Sequence, residues 1–320
     1  MKGPWRWRLE YAFVWLLLAT LERMPRRAAL QVGAAIGRLA YRALSGRRRI
    51  ALTNLQRAMP ELSAPQREQI AAASFGRLGM LLAEFAQLPR LTPAKVLQVA
   101  RPQGHQHYLE AKARGTGVIF LTAHYGAWEL LPFAQALLGH PLKFVVRRLD
   151  NPLLERLVRA YRTSCGNGVI LRREAARGIL RALGAGEAVG ILFDQNTSDG
   201  VVVPFFGLPT RTTPVVATLA LRTGAAVIPV FLSANPDGLT HTMVFEPAVP
   251  LQRSGNLKRD IEANTIEFNR ILERHVRRQP DHWLWLHQRW KDSPVTPAAE
   301  AEVAAEPPAP APEADAPQSG

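Results

Sequence analysis

A histidine and a glutamate five residues apart are the pair in this chain best suited to chemistry: His124-Tyr-Gly-Ala-Trp-Glu129. The run before them, Thr116 to Ala123, is short, apolar and partly β-branched, which predicts a buried strand. Gly126 permits a sharp turn, and Ala127 to Leu138 then predicts a helix. His124 would therefore stand at the carboxyl end of a strand, where open α/β sheets place their ligands. On one continuous helix, side chains five apart diverge by about 140°. With the histidine in the turn and the glutamate in the first helical turn, the two can meet. A carboxylate that holds one ring nitrogen leaves the other as a general base. Such a base can take the proton of an alcohol and make it a nucleophile, with no serine or cysteine elbow. A histidine after a strand is also an ordinary turn residue, so the pair must be read with its surroundings.

Alternation of strand and helix patterns continues beyond the motif. Strands are predicted at 117–122, 142–147, 168–171, 188–193, 226–232 and 241–246. Helices are predicted near 127–138, 152–164, 174–184 and 214–223, with a long one from Leu257 to Gln279. This alternation predicts an α/β fold, with a mainly parallel central sheet flanked by helices. Arg147 and Arg148 end one predicted strand, and Arg172 and Arg173 end another. All four would share the sheet edge of His124 as an anion-binding rim, or serve as solvated strand ends. Asp194 and Gln195 follow the strand 188–193 and fit either a turn or a site. Gly184-Ala-Gly186 reads as a helix-to-strand turn.

The amino-terminal part is helical and basic. Residues 1–60 hold 12 Lys and Arg against two Glu, and the whole chain of 320 residues carries a formal charge of +14. That balance points to an anionic partner: a membrane, an acidic protein or substrate, or nucleic acid. The run Tyr11 to Leu21 is eleven residues long, short of the about 20 needed to span a bilayer. Trp5, Arg6, Trp7 and Arg8 before it, and Arg23, Arg26 and Arg27 after it, suit a helix lying in the cytoplasmic leaflet. A buried amphipathic helix is the alternative. Residues 28–44 and Arg47 to Pro60 predict two more helices, and Ser63 with Pro65 starts another over 66–87. Three regions follow: 1–60, an N-terminal helical membrane-associating region; 61–292, the α/β domain; and 293–320, a Pro/Ala/Glu tail expected to be disordered. The one cysteine, Cys165, excludes an internal disulfide and a cysteine-based zinc cluster. No phosphate-binding loop, dinucleotide fingerprint or HExxH motif is present.

Several segments occur in the order of a known family. They are Arg47-Arg-Arg-Ile-Ala-Leu-Thr-Asn-Leu55, His124 to Glu129, Phe193-Asp-Gln195, Phe205-Phe-Gly207 with Thr210 and Arg211, and Trp283 to Lys291. On these the chain resembles the bacterial lipid A late acyltransferases, lauroyl and myristoyl transferases of the wider lysophospholipid and glycerolipid acyltransferase superfamily. The resemblance implies that His124 is the base and Glu129 fixes its tautomer. It also implies that Asp194 and Gln195 lie near the centre, with Asp194 assisting His124 or orienting a basic residue. Gly207, Thr210 and Arg211 match the superfamily's acceptor-binding block, and the four-arginine rim would suit a phosphorylated acceptor. The implied donor is an acyl thioester of acyl carrier protein or of CoA, and the implied acceptor is a membrane glycolipid, a lipid A precursor. No metal or cofactor is needed. The implied location is the cytoplasmic face of the inner membrane, either peripheral or single-pass. A lysophospholipid or a phosphatidylinositol mannoside is the alternative acceptor. A non-catalytic basic protein on membranes or nucleic acid is the reading from another class. Against nucleic acid, the basic residues are not interleaved with stacking aromatics in a recognisable module.

Overall fold

The computed structural model describes residues 4–291. Four helices come first: α1 (Pro4–Arg23), α2 (Arg26–Ala43), α3 (Ser45–Ala58) and α4 (Ala64–Gln87). The α/β part runs α5 (Pro93–Val99), β1 (Ala100–Gln103), α6 (His105–Ala113), β2 (Val118–Thr122), α7 (Leu130–Leu137), β3 (Lys143–Val146), α8 (Pro152–Thr163) and β4 (Gly168–Leu171). It continues with α9 (Ala175–Gly184), β5 (Ala188–Leu192), β6 (Val201–Phe205), β7 (Leu208–Thr212), α10 (Val215–Thr223), β8 (Ala226–Ala234), β9 (His241–Phe245) and α11 (Leu257–Arg278). The tail expected at 293–320 lies outside the described residues.

Seven strands form one sheet in the order β1-β9-β8-β2-β5-β3-β4, and β6 and β7 form a separate hairpin. Every neighbouring pair of the large sheet is parallel except β8 and β9. Strand β2 is buried on both faces, as an inner strand of a covered parallel sheet should be. Its side chains alternate between two cores. Ile119 and Leu121 join α3, α4, α9, α10 and α11, while Val118 and Phe120 join α1, α2, α4 and α7.

Helix α4 starts where the sequence predicts. Ser63 accepts from the Gln66 amide and Gln66 answers to the Ser63 amide, a capping box. Helices α2 and α4 touch backbone to backbone through Gly33, Gly37 and Gly79. A methyl group on Gly79 would overlap the Gly33 carbonyl, and one on Gly37 would overlap the Phe75 carbonyl. Helix α1 is 20 residues long, yet Arg6, Arg8, Glu10, Glu22 and Arg23 bound its apolar stretch. Among the described residues no helix is long and apolar enough to cross a membrane. One face of α1 buries Leu18 and Leu21, while Trp5, Leu9, Phe13 and Leu16 form an exposed stripe, each more than 60% accessible.

Three departures from the expected elements bear on the site. The segment after His124 is not helical until Leu130. Gly126 N–H donates to the His282 carbonyl and Ala127 N–H to the Leu232 carbonyl, which tie it to strand β8 and the C-terminal segment. Gly126 has φ +57°, and any Cβ there would overlap the Leu232 carbonyl. Two strands that were not predicted, β6 and β7, carry the block with Gly207, Thr210 and Arg211, joined by Phe206 (φ +53°) and Gly207 (φ +72°). Two successive positive φ values are those of a tight hairpin turn that matches strand twist. Strand β1, with Pro102, was not predicted and lies at the sheet edge, where a missing N–H is tolerated.

Candidate active site

Strands β2 and β5 are parallel neighbours, and Thr122 pairs with Leu192. His124 and Asp194 therefore each stand two residues past the same register level. His124 Nδ1 lies 2.8 Å from Asp194 Oδ1. Asp194 Oδ2 accepts two further bonds, from the His124 backbone N–H at 3.1 Å and the Trp283 indole N–H at 2.9 Å. The carboxylate is 2% exposed. An ionised carboxylate only accepts, so the proton of the neutral ring sits on Nδ1 and Nε2 carries the lone pair. Gln195 donates its amide to Nε2 at 3.2 Å. The Trp128 ring packs edge-on against the imidazole, with centroids 5.4 Å apart.

The carboxylate on the ring is thus Asp194, and the expected contact with Glu129 is not made. Glu129 precedes α7 and binds Arg162 of α8 through both oxygens. The turn at Gly126 and Ala127 precedes α7 and leaves Glu129 on Arg162 of α8. Its charge still reaches His124 through space.

The other expected residues divide. Strands β3 and β4 run parallel to β2, so their arginines share its carboxyl edge. Arg147 is exposed and pairs with Asp150 at 3.3 Å, and Arg148 is exposed. Arg172 is exposed in a 3-10 turn, and the Arg173 side chain lies outside the described ones. None of the described rim arginines touches His124 or Asp194. Gly207 caps the β6–β7 hairpin. The Thr210 hydroxyl donates to the Arg289 carbonyl and the Arg211 carbonyl accepts from Arg289 Nη1, so this block grips the C-terminal segment.

Four groups at the site had no assigned role in the sequence reading: Trp283, Arg289, His287 and Arg162. The first three sit in the aromatic, basic segment after α11. His287 Nε2 accepts the Asn196 N–H at 3.0 Å and so fixes the turn that carries Asp194 and Gln195. Asn54 of α3 donates to the Trp285 and His287 carbonyls, which ties the basic helix to this segment.

The pattern of bacterial lipid A biosynthesis acyltransferases matches residues 4–292. The chain belongs to this family. It is 26% identical over 294 residues to a lipid A biosynthesis lauroyltransferase of Escherichia coli (strain K12), covering 89% of this chain and 93% of that protein. It is 28% identical over 292 residues to a lipid A biosynthesis palmitoleoyltransferase of the same strain, with the same two coverages. A phosphatidylinositol mannoside acyltransferase of Mycobacterium tuberculosis (strain ATCC 25618 / H37Rv) is 28% identical over 287 residues, 88% of this chain and 87% of that one.

In this family member the electrostatics at the sheet edge favour a charged pair on demand. Burial disfavours the carboxylate of Asp194, but His124, the Trp283 N–H and Arg289 outweigh it and hold the carboxyl at about 2. Burial likewise disfavours the imidazolium of His124, yet Asp194, and Glu129 more weakly, raise it above the ordinary value of 6.5. Arg289 is fully buried, its guanidinium 5.2 Å from the Phe205 ring centre, and burial lowers it to about 10 despite Asp194. His287 is lowered by burial, with Arg289 and His124 adding to the effect, and its Nε2 stays an acceptor.

Proposed function

We propose that the chain moves a fatty acyl group from a thioester, on acyl carrier protein or CoA, to a hydroxyl of a membrane glycolipid, a lipid A precursor. The observation that carries this reading is the unprotonated Nε2 of His124, reached only by the exposed Gln195 amide among the described hydrogen bonds, with Nδ1 held by a buried carboxylate at the carboxyl edge of the sheet. In the reaction Nε2 takes the acceptor's hydroxyl proton, and Asp194 stabilises the imidazolium that forms. The oxygen attacks the thioester carbonyl and a tetrahedral oxyanion results. As the intermediate collapses, the C–S bond breaks and His124 returns the proton to the leaving thiolate. Gln195, exposed and at hydrogen-bond distance from Nε2, marks where the acceptor oxygen binds. Glu129, fixed by Arg162, adds a weaker through-space charge that favours the imidazolium.

Arg147, Arg148, Arg172 and Arg173 form the rim for a phosphorylated acceptor in this reading, and Gly207, Thr210 and Arg211 set the hairpin that backs the C-terminal segment. Residues 1–60 bring the enzyme to the cytoplasmic face of the inner membrane. The test of the activity is mass spectrometry of membrane lipids from cells with the chain or its His124→Ala variant. A gain of one acyl chain on a lipid A precursor, lost in the variant, is the expected result. A gain on a phosphatidylinositol mannoside would move the assignment to that acceptor, and no gain on any lipid would defeat it.

The membrane reading predicts a separate outcome. The exposed stripe Trp5, Leu9, Phe13 and Leu16 is apolar and flanked by arginines, each worth about 1 kcal/mol near an anionic surface. Serine at all four positions should abolish co-sedimentation with anionic vesicles at high salt and leave weak binding at low salt. Unchanged sedimentation at high salt would refute docking through α1.

A further inference from the structure

The segment from Asp281 to Lys291 contacts His124, the turn after β5 and the β6–β7 hairpin. Leu284 N–H donates to the His124 carbonyl at 3.1 Å, His287 holds the Asn196 amide, and Arg289 holds the β6–β7 hairpin through the Thr212 hydroxyl and the Arg211 carbonyl. Arg77 of α4 ties the segment's start to the helical layer through Asp281. Among the described residues, one side chain of this segment reaches the carboxylate of the reacting pair by hydrogen bond: the Trp283 indole N–H, 2.9 Å from Asp194 Oδ2.

The Trp283 ring is anchored in the core. It is 2% exposed and packs edge-on against Trp285 at 4.7 Å and Phe205 at 5.4 Å between centroids. A buried indole N–H needs an acceptor, and its acceptor here is Asp194. Trp285 makes the contrast. It is also buried, yet its N–H donates to the Pro280 carbonyl, just before the segment. The other donor to Asp194 Oδ2 is the backbone N–H of His124, which belongs to the residue being positioned. It therefore provides no reference outside the β2–β5 edge. The indole does, because it fixes Oδ2 to the core and leaves Oδ1 to face the imidazole.

We propose that Trp283 is a positioning residue for the transfer reaction. Its N–H holds the Asp194 carboxylate in the rotation that keeps Oδ1 on His124 Nδ1. The proposal rests on the reading of His124 as the base. Without the N–H, Asp194 Oδ2 keeps one donor, the carboxylate rotates, and the imidazolium loses part of its partner in the transition state.

The experiment compares Trp283→Phe, replacement of Trp283 by β-(3-benzothienyl)alanine, and Trp285→Phe as a matched change in the same segment. The benzothienyl group keeps the indole's shape and lacks the N–H, so it decides the matter if the phenylalanine variant folds poorly. Turnover of an acyl carrier thioester with a detergent-dispersed lipid A precursor is followed against pH. The groups that face His124 are Asp194 after β5, Glu129 before α7 with Arg162 of α8 behind it, and His287 and Arg289 of the C-terminal segment, with Arg47 of α3 beyond His287. None of these is altered, so a moved acid limb reports the carboxylate's position. Both Trp283 variants should lose about tenfold in kcat, the worth of a hydrogen bond to a charged group, with KM within twofold. Their acid limb should move to lower pH, towards an ordinary imidazole, and that of Trp285→Phe should not move. Wild-type kcat and limb in the benzothienyl variant would overturn the proposal, as would a limb displaced to higher pH. Wild-type turnover in His124→Ala would instead remove the base assignment beneath it.

Discussion

His124→Ala should lower kcat by about 10²–10⁴ while the protein remains folded, the usual contribution of a positioned general base. The side chain fills little core volume: it stands in the turn after β2, and the strand's own residues pack without it. The pH dependence should identify the group. Base catalysis needs the neutral ring, so kcat/KM falls as pH falls through the pKa of His124 in the free enzyme. Burial acts to lower that pKa, but Asp194 and Glu129 prevail, and the half-activity point should lie above 6.5. Glu129→Gln removes the weaker contribution and should bring the limb down slightly. The sign for stability is opposite to that for activity. A raised imidazole stabilises the fold below its unfolded value, and this is lost as pH rises through the folded one. Asp194 stabilises above the ordinary carboxylate range, and its share is lost only as pH falls towards about 2. Folded His124→Ala with wild-type turnover would end the mechanism.

Asp194→Asn should be as damaging, and for a different reason. The carboxylate accepts on both oxygens: Nδ1–H on Oδ1, and two N–H donors on Oδ2. Asparagine has one oxygen and one NH2. The oxygen satisfies the Trp283 and His124 N–H donors best, which turns the NH2 towards Nδ1. Nδ1 must then accept, the ring proton moves to Nε2, and the lone pair that serves as base is gone. The expected loss in kcat is about 10⁴, as found when a tautomer-fixing carboxylate becomes an amide. Higher pH should not restore it, because the tautomer and not the charge is wrong. Volume is conserved and the buried donors keep an acceptor, so the melting temperature should change less than for Asp194→Ala. That substitution leaves the buried Trp283 N–H and the His124 backbone N–H without their acceptor, at about 1–3 kcal/mol for each group. Near-normal activity of Asp194→Asn would show that the carboxylate does not select the tautomer.

Strand and helix periodicities were legible in the residues themselves. The apolar runs that end at Ala123 and Phe193 made two inner strands, and helices between strands required a parallel sheet, so polar residues at both strand ends had to share one edge. The short, proline-bearing strands escaped. Pro102 in β1, and Pro204 and Pro209 in the hairpin, break the usual strand signal, and all three strands lie at an edge or outside the large sheet, where a missing amide is tolerated. Which carboxylate meets His124 was beyond local sequence. Spacing along the chain favoured Glu129, five residues on. The Thr122–Leu192 register favoured Asp194, seventy residues on, and the Gly126 and Ala127 hydrogen bonds to His282 and Leu232 delayed the helix and sent Glu129 to Arg162. The aromatic and basic residues from Trp283 onward were visible from the start, but their task depends on the segment folding back over the sheet edge. Periodicity is set by neighbours within a few residues, whereas the choice of partner for a polar side chain is set by which strand ends the tertiary fold brings level.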